Sequence, residues 1–396
     1  MKKLIFLIFT LLPFIGICQN PMIQVIIASR KKPLPPDSVT ITVTFSNTPN
    51  SASSDFAEIK YNKEGIFNFE IDDNKSQCLL MESILSNFHY TDGTGLNHNY
   101  TAATAINGYT FSGIEIGQNS GTGMIYAEYS TLISSGWDVM NHSNRHVDLI
   151  NSNGINIIGY KEDILTLNEL YFNNINYTIN CFVVPSNYTN FVPHADELGF
   201  LVSSSSGNDP YKPAFPASVQ VGTVSNIVSP DSGLIQLKRG FLHNWSDQAH
   251  INGFISHFKN MVDNSSPIDN KFYRVGTHAD NFSSTVFTNF IDSLHNISGD
   301  RIWFTTAREW MEYRYCTREV VKKDTLIGNT LLIQLNYDQI REDIRWRDLS
   351  LNISTDATII DVTFSGNADS LTYNPNSGLI NVYKQNLIFN SYLLDP

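Results

Sequence analysis

The stretch from residue 65 to about residue 316 alternates short apolar runs with longer segments whose apolar residues recur every three or four positions. Short apolar runs between turn residues predict buried strands, and the longer spacing predicts amphipathic helices. Strands that alternate with helices are typical of a mostly parallel sheet or barrel. The predicted strands are residues 66–71, 137–140, 177–184, 199–204, 271–278 and 301–306. The predicted helices are residues 162–174, 250–262 and 284–295.

Both flanks of this stretch show a different pattern, in which apolar and polar residues alternate singly. Residues 38–47 have it after a proline-rich linker, and it returns from about residue 319 in segments rich in Asn and Thr. Single alternation predicts strands with one buried face. We therefore expect small β-rich regions on both sides of a (β/α) barrel. The predicted division is 1–18 signal peptide, 19–59 N-terminal β-rich segment, 60–316 barrel and 317–396 C-terminal β-sandwich.

The first residues have the layout of a signal peptide. Lys2 and Lys3 precede an apolar run from Leu4 to Ile17, which is short for a membrane span. We expect cleavage after Cys18 and export to the periplasm, the cell surface or the medium. The alternative is a lipoprotein acylated on Cys18, although Ile17 is a poor residue immediately before a lipidated cysteine. No second apolar stretch is long enough to span a bilayer, so no transmembrane segment is expected after cleavage.

Composition narrows the classes of partner and of metal ligand. The chain has 396 residues and a formal net charge of −12, and no basic cluster is interleaved with aromatic residues. A nucleic-acid partner is therefore not expected. After signal cleavage the remaining cysteines, Cys78, Cys181 and Cys316, are scattered and odd in number. They fit neither a disulfide framework nor a cysteine zinc site, so a metal would have to be held by His, Asp or Glu.

Two adjacent carboxylates, Asp72 and Asp73, follow the first strand of the predicted barrel. The C-terminal ends of strands form the active face of β/α barrels. Neighbouring side chains near a strand end point in different directions, so one carboxylate can bind a metal while the other faces a water or substrate. The alternative is a polar turn after a buried strand, with Asp72 capping the residues that follow.

The second strand ends in the segment HSNRH, with His142 and His146 four residues apart. If the segment begins a helix, this spacing places both imidazoles on one face, where two nitrogens can bind one ion. The alternative is a pair of polar histidines on a helix surface. Together with a carboxylate from the preceding strand end, the pair forms a three-ligand set that leaves positions open for water, as in catalytic metal sites. Two further predicted strand ends bring His278 and Pro185 to the same rim.

These segments, FEIDDN, GWDVMNHSNRH and RVGTHAD in this order, resemble the NodB-homology polysaccharide deacetylases of carbohydrate esterase family 4. The resemblance covers roughly residues 60–316 and implies an irregular (β/α) barrel of the polysaccharide deacetylase type. The family's second motif, H-[ST]-x-x-H, is matched in full by residues 142–146. The segment RIWFTTAREWMEY, residues 301–313, resembles the closing strand and helix of many members.

The resemblance also implies roles for single residues. Asp73, His142 and His146 would bind a divalent ion, usually Zn²⁺ and sometimes Co²⁺ or Ni²⁺. Asp72 would be the general base for a metal-activated water, and His278 would be the general acid that protonates the leaving group.

Ser143 would orient one of the metal ligands by contacting that ligand, without binding the metal itself.

Two positions depart from the family pattern. The third motif, R-x-P-[YFW]-G in outline, should lie at residues 182–187, where only Pro185 is kept. The missing arginine normally tethers the base aspartate, and Arg239 or Arg274 from another strand is the candidate to replace it. In the first motif, Asn74 stands in the place of the usual glycine.

The expected function is therefore an exported, metal-dependent hydrolase that removes N- or O-acetyl groups from a polysaccharide such as a chitin-, peptidoglycan- or xylan-like polymer. The alternatives are a glycan-binding protein with weakened catalysis on the same fold, and a hydrolase of a non-sugar C–N bond. Trp245 and Trp303 are candidates for the wall of a sugar cleft, with core packing as the other interpretation. For His243, His250 and His257 we expect surface or core positions and no role as ligands.

Overall fold

The computed structural model describes residues 37–109, 115–118, 123–146, 159–206, 235–263 and 272–386. The predicted signal peptide, Cys18 and the proline-rich linker lie outside the described residues. Within those ranges, no helix is long and apolar enough to cross a membrane.

The described ranges contain eighteen strands and seven α-helices. The strands are β1 (Ser38–Phe45), β2 (Ala52–Phe56), β3 (Gly65–Ile71), β4 (His89–Thr91), β5 (Asn97–Asn99), β6 (Ala103–Ile106), β7 (Asp138–Asn141), β8 (Cys181–Val183), β9 (Val202–Ser206), β10 (Ile235–Leu242), β11 (Phe272–Thr277), β12 (Ile302–Phe304), β13 (Val321–Ile327), β14 (Thr330–Asn336), β15 (Leu349–Thr355), β16 (Ile359–Gly366), β17 (Ser370–Asn374) and β18 (Leu379–Tyr383). The helices are α1 (Gln77–Leu85), α2 (Tyr126–Ser134), α3 (Tyr160–Ile175), α4 (Val192–Glu197), α5 (Gln248–Asp263), α6 (Ser284–Ser298) and α7 (Ala307–Glu319).

A parallel barrel forms the centre of the molecule. Its strands pair in the order β3, β6, β7, β8, β9, β10 and β11, and β11 pairs with β3 again, which closes the ring. The short β12 also pairs with β3, at Gly65–Phe67, on the side where β6 pairs with Glu70 and Ile71. The ring is irregular because β3 shares this side between two strands. The predicted irregular (β/α) barrel is confirmed.

Most predicted elements of the barrel are confirmed, and the exceptions have physical causes. All six predicted strands overlap observed strands, although β8, β9 and β12 each share only three residues with the predicted range. The sequence pattern missed β6 and β10. β6 has only four residues, and the apolar run of β10 is interrupted by Lys238 and Arg239. All three predicted helices are present as α3, α5 and α6.

Buried charged side chains occupy the barrel interior. Arg239 of β10 reaches Glu70 of β3, although β11 lies between these strands in the ring, so this contact crosses the interior. Arg274 of β11 contacts the other oxygen of Glu70 and donates to Asn68 Oδ1 at 3.3 Å. All four side chains are buried. Buried charges are tolerated only when they are paired, as these are.

Two antiparallel sheets flank the barrel, and both combine strands from the two ends of the described chain. One has the order β13, β14, β1, β16 and the other β17, β18, β15, β2. In β1 every second residue is buried, which agrees with the predicted alternation. The division at residues 59 and 316 stays a prediction, but the strands before residue 59 share their sheets with the strands after residue 316.

Asp92 joins the hairpin of β4 and β5 to the second sheet. Its Oδ2 accepts hydrogen bonds from Thr372 and Tyr383, both at 2.7 Å, and its Oδ1 accepts from the backbone N–H of Thr94 at 2.8 Å. Burial raises the pKa of Asp92, but these hydrogen bonds outweigh that effect and hold the pKa well below its usual range.

Candidate metal centre and active site

Three strand ends on one rim of the barrel carry the candidate residues. Asp72 and Asp73 follow β3, His142 follows β7 and His278 follows β11. The strands are parallel, so their C-terminal ends meet at the same rim. The backbone N–H of Asp72 donates to the Thr277 carbonyl at 2.9 Å, which fixes two of these ends together. The structure therefore brings all five predicted site residues to one place.

Asp72 is held by a buried arginine. Arg239 donates from Nη1 to Asp72 Oδ1 at 2.9 Å and from Nη2 to Oδ2 at 2.5 Å. Burial raises the pKa of Asp72, whereas the charge of Arg239, the nearby His142 and the hydrogen bonds lower it, and the net result is a lowered pKa. Asp72 is thus charged and fixed in orientation. Of the two arginines proposed from the sequence, Arg239 takes the position, and Arg274 binds Glu70 and Asn68.

Glu70 and Gly276 place Arg239. Glu70 Oε2 accepts from Arg239 Nη1 at 2.9 Å, so one guanidinium nitrogen is shared by two carboxylates. Gly276 of β11 leaves the space through which the side chain passes: a Cβ there would lie 2.7 Å from Arg239 Nε and 2.8 Å from Cδ and Cζ. The sequence contained no signal for either role, because both depend on a contact across the barrel.

Asp73, His142 and His146 form a set of possible metal ligands. One ligand atom from each lies within 4.8 Å of the other two. The two Nε2 atoms are 3.1 Å apart, and Asp73 Oδ1 lies 3.7 Å from His142 Nε2 and 3.4 Å from His146 Nε2. Ligand atoms about 2 Å from one ion in a tetrahedral site lie roughly 3.3 Å from one another. The three distances fit that requirement.

The environment of His142 leaves the correct nitrogen available. Its Nδ1 lies 2.8 Å from the Val183 carbonyl oxygen, which can only accept, so Nδ1 carries the proton and Nε2 has a free lone pair. Burial lowers the pKa of His142 to about 4. The imidazole is therefore neutral near pH 7, as a metal ligand must be.

The segment HSNRH is a turn, so the helix considered from its spacing is wrong. Ser143 and His146 have φ angles of 63° and 54°, in the left-handed region that a helix excludes. The Ser143 hydroxyl accepts from the His146 backbone N–H at 2.9 Å and closes the turn. The two imidazoles meet because of this turn and not because of a helix face. Ser143 thus positions His146, which agrees with its expected supporting role.

The turn after β3 also uses left-handed residues. Asp73 has a φ of 69° and Asn74 a φ of 55°. Asn tolerates this region better than most residues, which explains how it stands where glycine is usual. Asn74 Oδ1 accepts from the Asn107 backbone N–H and from the Tyr129 hydroxyl, both at 3.1 Å. Asn107 in turn donates to the His142 carbonyl at 2.8 Å, so the asparagine pair connects the two ligand-bearing turns.

His278 stands at the exposed side of the site. Its side chain is 33% exposed, and its Nε2 lies 3.4 Å from Asp73 Oδ2. Phe241 contacts both His278 and His243, with ring centroids 4.7 Å apart in each case. Burial and the nearby His278 lower the pKa of His243. The sequence prediction gave His243 no role, but it follows β10 on the same rim and belongs to the surroundings of the site.

Other expectations concerned aromatic residues and the third motif. Trp245 and Trp303 are buried in the core, so the interpretation of either as a cleft wall is wrong. Trp245 instead donates to Thr277 Oγ1 at 3.2 Å and supports the end of β11. Pro185 begins a short 3-10 helix after β8, at the same rim as predicted. His250 is buried and packs on Phe254, in agreement with its expected core position.

Solved structures of polysaccharide deacetylases are similar to this chain. A protein described as a polysaccharide deacetylase from Mycobacterium smegmatis matches at 12% identity and a TM-score of 0.42, over 70% of this chain and 96% of the other. The carbohydrate esterase family 4 domain of a multidomain xylanase, from the hindgut metagenome of Trinervitermes trinervoides, matches at 12% identity and a TM-score of 0.36. That match covers 63% of this chain and 90% of the domain.

A family 4 pseudoenzyme from Bacillus anthracis also matches, at 12% identity and a TM-score of 0.36, over 63% of this chain and 66% of the other. No family model and no curated protein matches the sequence. At these identities an assignment of activity has to follow from the residues of this chain.

Proposed function

We propose that the protein is an exported, metal-dependent deacetylase that hydrolyses N- or O-acetyl groups of a polysaccharide. The observation that carries the proposal is the arrangement at the barrel rim. The Asp72 carboxylate, which a buried arginine fixes, lies 4.0 Å from His142 Nε2. His142 belongs to the donor set of two histidines and Asp73. A partly exposed histidine, His278, stands beside the same set.

The donor set suits Zn²⁺, with Co²⁺ or Ni²⁺ as alternatives. Two imidazole nitrogens and one carboxylate oxygen are ligands that Zn²⁺ prefers, and three protein ligands are typical of catalytic sites. Asp73, His142 and His146 would hold the ion. When bound, a divalent ion polarises a carbonyl group and lowers the pKa of water.

Asp72 is placed to accept a proton. The bidentate bond to Arg239 keeps the carboxylate charged and prevents it from rotating. A fixed, charged carboxylate at hydrogen-bond distance from an attacking water takes the proton that the water releases. Arg239 acts through Asp72 and is a positioning residue.

His278 is placed to supply a proton. A third of its side chain is exposed, so a substrate on the rim can reach it, and its Nε2 lies 3.4 Å from Asp73 Oδ2. An amine leaving group must be protonated as the C–N bond breaks, and an imidazolium is the general acid suited to pH values near neutrality.

Export and the polymer substrate belong to the same proposal. Export rests on the predicted signal peptide, and the polymer rests on the motifs shared with polysaccharide deacetylases. The similar solved structures include, by their descriptions, a polysaccharide deacetylase and a domain of a multidomain xylanase.

The test is acetate release from acetylated chitooligosaccharides, acetylated xylan and peptidoglycan, with added Zn²⁺ and with a chelator. We expect release from at least one polymer, loss with the chelator, and recovery when Zn²⁺ is restored.

Asp72→Asn should remove the release of acetate, while Zn²⁺ binding, measured by elemental analysis of the purified protein, is retained. His146→Gln should lower Zn²⁺ affinity by at least about a hundredfold, whereas His89→Ala, on an exposed histidine, should leave it unchanged. A folded protein that binds Zn²⁺ but releases no acetate from any of the three would contradict the proposal.

A further inference from the structure

A second cavity, of about 410 Å³, lies at the opposite end of the barrel. Its lining includes Tyr61, which precedes β3, Thr101, which precedes β6, and Gly136, which precedes β7. The same three strands end at the candidate metal centre. With about 3.3 Å of rise per residue, the six positions between Gly136 and His142 separate the two sites by on the order of 20 Å. The second cavity is therefore distinct from the metal site.

Aromatic rings form much of its inner wall. Tyr61, Tyr90 and Trp346 are buried, and each lines the cavity. His98 stacks on Tyr61 and on Tyr383, with ring centroids 5.0 Å and 5.7 Å away. The Tyr383 hydroxyl lies 3.1 Å from His98 Nε2. Such rings offer flat apolar faces with polar groups at their edges.

The polar part of the wall is formed by amide side chains and by Arg345. Asn97, Asn99 and Gln385 are exposed and line the cavity, so their amide groups can donate and accept hydrogen bonds there. Arg345 is 7% exposed, and its two Nη atoms already donate to the carbonyls of Trp137 and Ile133. The exposed amides, and not the buried guanidinium, are therefore the polar groups that a bound molecule would reach.

The charges around the cavity cancel. The carboxylates of Glu309 and Asp348 line it, and both bind Lys60 Nζ, at 2.8 Å and 2.7 Å. With Arg345 the group has two positive and two negative charges. Burial lowers the pKa of His98, which keeps this ring neutral at pH 7. A balanced wall gives no net attraction for a free ion of either sign.

We propose that this cavity binds an uncharged sugar unit of a glycan, independently of the metal site. A pyranose combines apolar C–H faces, which pack on aromatic rings, with hydroxyl groups that both donate and accept hydrogen bonds. The wall supplies both kinds of partner: the aromatic rings meet the C–H faces, and the amides of Asn97, Asn99 and Gln385 donate and accept hydrogen bonds. The volume lies within the roughly 300–1,000 Å³ of small-molecule sites. Exposed Asn97, Asn99 and Gln385 at the mouth allow a longer chain to leave the cavity.

The test is calorimetric titration of the full chain with two neutral probes, N-acetylchitohexaose and xylohexaose, in the presence of a chelator. Ser135→Trp puts a large ring into the mouth from an exposed position that lines the cavity. Thr131→Trp puts the same ring on an exposed position of α2, the helix that ends immediately before Ser135, and outside the lining. We expect at least one hexaose to bind, about tenfold or more weaker in Ser135→Trp, and unchanged in Thr131→Trp. Thermal unfolding of both variants checks that they are folded.

Asp73→Asn separates the cavity from the metal site. We expect it to retain the binding that Ser135→Trp loses, because Asp73 lies at the other end of the barrel. If neither hexaose binds, or if Ser135→Trp binds as tightly as the unsubstituted chain, the proposal is wrong. Because the readout is sugar binding in the presence of a chelator, a failure to bind would not contradict the proposed deacetylase activity. A failure to release acetate would likewise not contradict sugar binding in the cavity.

Discussion

The Arg239 guanidinium donates to both oxygens of the Asp72 carboxylate, at 2.9 Å and 2.5 Å. In the motif pattern that the sequence resembles, the tethering arginine stands two positions before Pro185, where this chain has Val183, buried in the core. The same bond is made here from β10, across the barrel interior. A departure in one motif is thus compensated by a residue more than fifty positions later.

Replacement of Arg239 tests this compensation. Arg239→Lys keeps the charge but loses the two-pronged geometry, so kcat for acetate release should fall by about a hundredfold. Arg239→Met leaves the buried Asp72 without its partner and Glu70 with Arg274 alone, and should lower the free energy of unfolding by about 3–5 kcal/mol. Denaturant unfolding measures the second effect. Arg318→Lys, on an exposed arginine that pairs with Glu319, is the control and should change neither quantity.

Gly276→Ala tests the same bond without removing any charge. The added methyl group would lie 2.7 Å from Arg239 Nε, so the guanidinium has to move away from Asp72. We expect kcat to fall by about tenfold or more, with Zn²⁺ affinity unchanged because no metal ligand is touched. Gly253→Ala, where a Cβ meets nothing within 4 Å, is the matched control. Full activity in Gly276→Ala would show that the position of Arg239 does not matter.

Substrates with different leaving groups distinguish the roles of His278 and His243. If His278 protonates the leaving amine, His278→Ala should lower kcat on an N-acetyl substrate by about 10²–10⁴. The loss should be much smaller on 4-nitrophenyl acetate, whose leaving group departs without a proton. His243→Ala should affect both substrates equally and weakly, since Phe241 stands beside both rings and His243 only neighbours the acid. An equal loss on both substrates in His278→Ala would assign it a structural role.

Asp92 predicts how stability depends on pH. Its pKa is lower in the folded than in the unfolded chain, so its contribution is complete above the unfolded value of about 4 and is lost as the pH falls toward the folded value. Asp92→Asn should destabilise the protein by about 1–3 kcal/mol at pH 7. The difference from the unsubstituted chain should shrink between about pH 4 and pH 2. Denaturant unfolding at several pH values measures it, with the exposed Asp55→Asn as control.

The sequence predicted which residues lie at the strand ends of the site better than it predicted the contacts that position those residues. Asp72, Asp73, His142 and His278 follow apolar runs, and a parallel barrel necessarily brings such ends together. The grouping of His142 with His146 was correct although the helix was wrong, because a turn with left-handed Ser143 and His146 gives a similar separation.

Arg239 could not be chosen over Arg274 from the sequence. A search for apolar runs does not find β10, because the charged Arg239 interrupts it. The pairing of β11 with β3, which closes the ring, is a contact between residues far apart in the sequence. The same reason hides Glu70, whose two arginine partners are about 170 and 200 residues away.

The position of β1 has a consequence for biosynthesis. β1 pairs with β14 on one edge and with β16 on the other. During translation, the whole barrel emerges from the ribosome before either partner strand exists, so β1 waits with both edges open while some three hundred residues are made. Open edges pair readily with other chains. Premature termination near residue 320 would therefore release a chain with an intact barrel sequence and an unprotected first strand, prone to aggregate although no site residue is missing.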